Sequence, residues 1–303
     1  MKRILLFGST GQVGWELHRS LQPLGQVRAA NHGEADFSEP ETLRGLIREY
    51  QPHVIVNAAA YTDVDMAERD FSVAHCINAR APHVIADEAA RLGALVVHYS
   101  SDYVFDGTNE QPYSEEDEPN PLNVYGESKI AGDRAIQSSG CKYIIFRTSW
   151  IYSSHRSNFL LKILNLAEKQ EELRVVTDQV GTPTSARLIA AATACCLYRV
   201  IKDSDIYPNL LGLFNLTAGG LTSRFGFANE IINGVQATQK NSHKRCVPVS
   251  AQFETVPALA PRPKNTQLNC GRFIRAFDLT LPDWRQDLTL NLGELLSRRG
   301  SGS

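Results

Sequence analysis

Two side chains four residues apart, Tyr125 and Lys129, carry the clearest chemical signal in this sequence. They lie in Tyr125-Gly126-Glu127-Ser128-Lys129, which reads as the first turn of a helix. Residues i and i+4 share a helix face, so the phenol and the ammonium can enter one cleft. An ammonium beside a phenol favours the phenolate and draws the tyrosine pKa down from about 10 towards working pH. Such a tyrosine can give a proton to a carbonyl oxygen, or take one from a hydroxyl, while a hydride moves at the carbon. Tyr-x-x-x-Lys also arises by chance on wet helix surfaces, so the pair gains weight only from its surroundings.

Those surroundings include a nucleotide loop. Gly8-Ser9-Thr10-Gly11-Gln12-Val13-Gly14 follows an apolar run and opens a helical one. Glycines there let the backbone approach a pyrophosphate, and the helix start offers unpaired N–H groups and partial positive charge. The spacing is G-x-x-G-x-x-G rather than the G-x-G-x-x-G of ordinary dehydrogenases. Asn57-Ala58-Ala59-Ala60-Tyr61-Thr62 ends a second apolar run. Small residues at a strand's carboxyl end leave room for a ligand, although alanines also serve there as simple packing. In Tyr99-Ser100-Ser101-Asp102-Tyr103-Val104-Phe105-Asp106-Gly107, a hydroxyl can donate to a substrate carbonyl oxygen as charge develops. Ser101 fits that task, with Ser100 as the competing candidate.

The elements that must position these groups alternate. Arg3–Phe7, Val27–Ala30, His53–Asn57 and Ala94–Ser100 read as strands, and Gln12–Gln22, Pro40–Tyr50 and Ser72–Leu92 as helices. Ser38 is the expected N-cap of the second helix, with Glu41 as its capping-box partner. The alternation predicts an α/β fold, a Rossmann-type doubly wound parallel sheet with helices on both faces. A dinucleotide-binding domain is drawn at residues 1–150, with part of 175–215 returning to it. Residues 151–303 are mainly a smaller α/β lobe for substrate, and Arg298–Ser303 reads as a flexible end.

Composition excludes several classes. The 303 residues are 43% hydrophobic and 21% charged, the balance of a soluble enzyme with a sizeable core. A net charge of −2 gives no reason to expect nucleic acid or an anionic membrane as partner. The six cysteines form no C-x-x-C and no metal-ligand spacing. No signal peptide and no bilayer-length apolar run is read, so the cytoplasm is the expected location.

Taken in order, Gly8-x-x-Gly11-x-x-Gly14, Asn57-Ala-Ala-Ala, Ser101-Asp102-Tyr103-Val104-Phe105-x-Gly107, Tyr125-x-x-x-Lys129 and Arg147-Thr-Ser-Trp150-Ile-Tyr152 resemble the dTDP-4-dehydrorhamnose reductases, which are extended short-chain dehydrogenases/reductases. Asp178-Gln-Val-Gly-Thr-Pro-Thr184, Arg262-Pro-Lys-Asn-Thr-Gln-Leu268 and Leu281-Pro-Asp-Trp284 continue the likeness nearly to the end. The resemblance implies a Rossmann domain with a nucleotide-sugar lobe. It also implies NAD(P)H-dependent reduction of the C4 keto group of dTDP-6-deoxy-L-lyxo-4-hexulose to dTDP-L-rhamnose. Tyr125 is then the proton donor, Lys129 its partner and the holder of the nicotinamide ribose, and Ser101 a hydrogen-bond donor at the reacting centre. Asp102 and Trp150 match substrate positions; Trp150 stands either for a wall of the sugar pocket, which the run Arg147-Thr-Ser-Trp150 favours, or for a core aromatic. Gly8, Gly11, Gln12, Val13, Gly14, Asp36, Phe37, Ala60, Tyr61 and Thr62 match cofactor contacts. Arg262 stands either for a contact to the substrate diphosphate, which suits a guanidinium fork, or for a surface clamp.

Two departures qualify the likeness. Glu16 and Glu294 match acidic positions that hold magnesium at a dimer contact in some members, but Arg187 stands where a third carboxylate would be. No metal is therefore expected, and a homodimer is left open. The second strand ends on Asn31, followed by His32, where NAD-specific folds carry Asp or Glu. NADPH is accordingly expected over NADH, with NADH still accepted; Arg28 or His32 adds attraction to the 2′-phosphate, and Asp36 restores some negative charge. Two other readings stay open. The regulatory β subunit of methionine adenosyltransferase resembles Ser100–Asn109 and Gln51–Val56, which would make the chain a cofactor-binding regulator; Arg147-Thr-Ser-Trp150 favours the enzyme. A sister reductase of another nucleotide 4-keto-deoxysugar would keep every catalytic residue.

Overall fold

Strand β1 (Lys2–Phe7) is buried from Ile4 onward, as a strand covered on both faces requires. It leads a computed structural model that describes residues 1–202, 207–238, 246–252 and 258–300. Next come α1 (Gln12–Ser20), β2 (Gly25–Ala30), α2 (Thr42–Tyr50) and β3 (Val54–Asn57). Two short helices, α3 (Val64–Ala67) and α4 (Phe71–His75), lead through a π-turn at Cys76–Arg80 into α5 (Ala81–Leu92). Then follow β4 (Leu95–Ser101), α6 (Val124–Ser138), β5 (Lys142–Thr148), β6 (Ile151–Tyr152), α7 (Phe159–Ala167) and β7 (Glu172–Val176). The remainder holds β8 (Val180–Gly181), β9 (Thr184–Ser185), α8 (Ala186–Lys202), β10 (Gly212–Asn215), β11 (Thr222–Ser223), α9 (Arg224–Thr238), β12 (Val247–Ala251), α10 (Gly271–Phe277) and α11 (Trp284–Gly300).

The main sheet runs β10-β5-β4-β3-β1-β2, every pair parallel. This is the doubly wound α/β architecture read from the alternation. Its order reverses between β1 and β3, so the crevice lies beyond their carboxyl ends, where Phe7 pairs with Asn57. Alternate β1 residues face opposite sides. Ile4 and Leu6 join a core with α1, α8 and α10, while Leu5 and Phe7 join one with α2 and α5. A third core gathers Trp150, Tyr152, Phe227 and Trp284. The two parts interleave: Ile189, Phe273 and Phe277 pack in one core with residues of the main sheet, Phe214 among them. Among the described residues no helix is long and apolar enough to cross a membrane.

Three local expectations change. The helix drawn at Ser72–Leu92 is interrupted by the π-turn, a feature that tends to mark functional sites. Ser38 does not cap α2, which begins at Thr42 without a side-chain cap. Its amide and hydroxyl both donate to Asp36 Oδ1, at 2.8 and 2.7 Å, because a carboxylate two residues away outcompetes a helix end that starts later. Glu41 pairs with Arg44 instead, at 2.8 Å. At the other terminus α11 runs to Gly300, and residues 301–303 of the expected flexible end lie outside the described residues.

Helix α6 carries both Tyr125 and Lys129, so its seating on the sheet decides where they stand. Asn123 caps it by accepting from the Gly126 amide at 2.9 Å. A Cβ on Gly126 would stand 2.2 Å from the Tyr103 carbonyl oxygen, and one on Gly132 would stand 2.1 Å from that of Asn78. Glycine at these two places lets the helix lie directly on the strand-end turn and the π-turn. Gly132→Ala is expected to push α6 away at a cost of about 1–3 kcal/mol, as for overpacking. Gly45→Ala, whose Cβ meets nothing within 4 Å in an exposed helix, should leave stability unchanged or raised. Denaturant unfolding of both variants checks the contrast.

Candidate active site

Helix α6 brings Tyr125 to the carboxyl end of the sheet, where its ring stands edge-on to Tyr103 with centroids 5.8 Å apart. The Ser101 hydroxyl reaches the Tyr125 phenol and also accepts from the Tyr103 amide at 3.1 Å. Ser100, the competing serine, is committed elsewhere: its hydroxyl donates to Asp133 at 2.6 Å. Lys129 is buried, and its ammonium donates to the Tyr99 carbonyl at 2.7 Å. Burial draws the Lys129 pKa down to about 8. Burial also pushes the Tyr125 phenol well above its ordinary value, and the Ser101 hydrogen bond offsets this only in part. This departs from the expectation of a phenol drawn down by its lysine neighbour: burial is the largest cause of the rise, and the charges of Asp102, Tyr103 and Asp133 act in the same direction.

At the switch point Gly8 has φ +72°, and a Cβ there would stand 2.5 Å from the Ala59 amide, so the loop lies against Ala58-Ala59. Gly11 begins α1 without any side-chain cap, which leaves the first-turn N–H groups of Gln12, Val13 and Gly14 aimed at the crevice. The carboxyl end of β3 continues into Ala60, Tyr61 and Thr62. The Tyr61 amide and carbonyl are both held by the Asn78 side chain, at 2.9 and 3.0 Å, and Asn78 also donates to Ser128 at 2.9 Å. One buried asparagine on the π-turn thus ties the crevice to α6.

Beyond β2, Asn31 spends its side-chain oxygen on the Gly33 and Glu34 amides, at 2.8 and 3.3 Å. Asp36 is half-buried, and its two hydrogen bonds from Ser38 hold its carboxyl below the usual range. Phe37 is a core residue, edge-on to Phe7 at 5.5 Å. Arg28 does not face the crevice: it pairs with Glu49 at 3.1 Å and lies over the Tyr50 ring at 5.7 Å. That removes it as an attraction for a 2′-phosphate.

On the lobe side, Asp102 is buried and accepts from Ser149 at 2.8 Å and Ser101 at 3.1 Å; burial raises its pKa. Trp150 adopts φ +44° and is 9% exposed. One edge of its indole closes on Gly181, where a Cβ would stand 2.7 Å away, and the Arg224 guanidinium lies 3.7 Å from its ring centroid. Arg224 also hydrogen-bonds Tyr103 and feels the charge of Asp102. Arg262 is engaged within the chain: its fork holds Asp65 at 2.8 and 3.0 Å and the Ala260 carbonyl at 2.6 Å. The sequence reading missed Arg224, although an arginine opening a helix runs against the dipole and is a usable signal. It also missed Ser153 and Arg156, which fold over the glycine loop: Ser153 donates to Gln12 Oε1 at 2.9 Å and Arg156 to the Thr10 carbonyl at 2.9 Å. No motif marks these.

Away from this cleft, Arg187 bridges Glu16, at 3.5 Å, and Glu294. The cation between the two carboxylates is therefore a side chain. Among the described residues no group of three His, Cys, Asp or Glu is placed to hold a metal ion.

Comparison with known proteins bears on this geometry. The family model described as RmlD substrate binding domain matches residues 1–297. The chain belongs to the RmlD family. Relatives of this family include the dTDP-4-dehydrorhamnose reductase of Burkholderia thailandensis, 42% identical over 299 residues (98% of this chain and 100% of that one). That of Escherichia coli K12 is 42% identical over 304 residues (97% and 98%). Among solved structures, the Bacillus anthracis dTDP-4-dehydrorhamnose reductase in complex with NADP superposes with a TM-score of 0.86 at 30% identity, covering 97% of this chain and 99% of that one. Trp150 packs in the lobe core, with the Arg224 guanidinium over its ring. Trp150→Ala should cost about 3–5 kcal/mol, as for other emptied aromatic sites, and should unseat Arg224. Thermal melting reads the first effect. Titration with the expected dTDP-sugar substrate reads the second, as weaker binding with cofactor affinity retained.

Proposed function

We propose that this chain reduces the C4 keto group of dTDP-6-deoxy-L-lyxo-4-hexulose to dTDP-L-rhamnose, using NADPH. One observation carries the reading: Tyr125 and Ser101 meet at the carboxyl end of β4, beside an uncapped helix start at the switch point, in a chain that matches named reductases over nearly its whole length. The crevice suits a dinucleotide, because uncapped first-turn amides, three glycines and Ala58–Ala60 bring a helix start and little side-chain bulk to it. Gly8, Gly11, Gln12, Val13 and Gly14 would hold the diphosphate, Asn31 and Asp36 the adenosine ribose, and Ala60–Thr62 with Lys129 the nicotinamide side. When bound there, the reduced nicotinamide supplies the hydride.

The residues of the chain manage the proton and the oxygen. Tyr125 keeps its proton at neutral pH because burial disfavours phenolate. An alkoxide forming at C4 is the stronger base, so transfer from the phenol runs downhill. Ser101 donates to the same oxygen and steadies the charge as it grows. Asp102, Trp150 and Arg224, whose guanidinium stacks on the Trp150 ring, would wall the sugar nucleotide. Arg262 is engaged by Asp65 and supports the wall indirectly.

Tyr125→Phe should lower kcat by about 10²–10⁴-fold, as for loss of a general acid, with NADPH affinity unchanged. Turnover near that of the wild type, followed by loss of reduced-nicotinamide absorbance with the dTDP-4-keto sugar, would overturn the assignment. NADPH should give the higher kcat/KM of the two reductants at fixed ionic strength. Asn31→Asp should move that ratio towards NADH, since a carboxylate there accepts from a 2′-hydroxyl and repels a 2′-phosphate.

A further inference from the structure

We propose that Asp133 is a positioning residue for the reduction: it is the buried counter-charge that keeps Lys129 an ammonium beside the nicotinamide ribose. This rests on the reductase reading. Asp133 lies one helical turn beyond Lys129 and two beyond Tyr125 on α6, and it has no exposed surface. Strand β4 and strand β5 hold it. Ser100 donates to its Oδ2 at 2.6 Å, His98 Nε2 lies 3.9 Å from Oδ1, and Arg147 Nε lies 3.9 Å from Oδ2.

The charge state of each neighbour follows from its bonds. Asn57 Oδ1 accepts from the Ala59 amide at 3.2 Å, which turns the Asn57 NH₂ towards His98 Nδ1 at 3.1 Å. That NH₂ can only donate, so His98 Nδ1 accepts and the ring proton sits on Nε2, facing Asp133. His98 is thus neutral, and burial together with the Lys129 charge keeps it so. Burial raises the Asp133 pKa, and the Arg147 charge, the Ser100 hydrogen bond and the Lys129 charge work against that rise, so the charges taken in this buried layer are Lys129, Arg147 and Asp133. Around them, α6 contributes Tyr125 and Arg134, the turn after β4 contributes Asp102 and Tyr103, and Glu115, Asp117 and Glu118 act on Arg147 from the preceding loop. Of these acids, Asp133 is the one whose charge supports the Lys129 ammonium. Without it nothing offsets the burial that draws the Lys129 pKa down, and the lysine sheds its proton more readily.

The test is the pH profile. The ammonium is the working form, so activity falls as pH rises through the Lys129 pKa. Asp133→Asn should move the alkaline limb of kcat/KM for NADPH to lower pH by about one unit or more, a loss of about tenfold at the pH of the wild-type limb, and Asp133→Glu should restore it. The dissociation constant for NADPH, measured against pH by fluorescence without turnover, should shift with the same limb. A folded Asp133→Asn variant with both profiles on those of the wild type overturns the proposal. If that variant does not fold by circular dichroism, Ser100→Ala decides: it removes the hydrogen bond that keeps the carboxylate charged, so a limb moved the same way supports the proposal and an unmoved limb overturns it. A wild type that binds NADPH but leaves the dTDP-4-keto sugar unreduced overturns the reductase reading, and the NADPH profile then decides Asp133 by itself.

Discussion

A lysine and an aspartate lie buried on one face of a helix whose glycines seat it against the strand-end turn and the π-turn, and the architecture of the site depends on that contact. Charges out of water cost several kcal/mol each unless their partners are well placed. Here the partners come from the sheet: the Tyr99 carbonyl receives the Lys129 ammonium, and Ser100 donates to Asp133. A bulkier residue at Gly126 or Gly132 would lift α6 and separate both pairs. The close approach is thus an electrostatic requirement as much as a steric one. It also fixes the height at which Tyr125 meets Ser101.

The other side of the cleft is held with the same means. Asp287, on α11, accepts from the Tyr152 hydroxyl at 3.1 Å and from the Ser185 amide and hydroxyl at 3.0 and 2.9 Å. One buried carboxylate so anchors β6 and β9 to the last helix. β6 follows Trp150 directly, and Ser149 binds Asp102. The wall that faces substrate is therefore set by contacts on both of its sides. Ser153 and Arg156 extend the same segment over the glycine loop, which makes the dinucleotide seat a joint product of both halves of the chain.

Much of this is legible in sequence where chemistry has a fixed local spacing. Tyr125 and Lys129, the three glycines and the run at Ser100–Ser101 mark the site because helix turns and strand ends impose those intervals. What escapes is set by distant packing. Nothing local tells that Ser100 turns to Asp133 while Ser101 turns to Tyr125; the pleat of β4 and the depth of α6 decide it. Arg262 has the local look of a phosphate ligand, and only the fold brings Asp65, about two hundred residues upstream, beside it. The π-turn at Cys76–Arg80 hides in a helical pattern, since one extra residue in a turn barely changes periodicity. Ser38 fits a capping box that Asp36 pre-empts.

The protonation pattern finally bears on direction. A tyrosine with a lowered pKa would rest partly as phenolate, ready to take a proton from an alcohol. Burial gives Tyr125 the opposite bias and leaves it protonated, while Lys129, drawn down to about 8, remains mostly charged at neutral pH. Each group thus begins in the form that reduction of a ketone consumes or needs. Oxidation of the product alcohol would first have to strip a desolvated phenol. Before substrate arrives the proton that the proposed reduction transfers is thus on Tyr125, and burial of the phenol helps to keep it there.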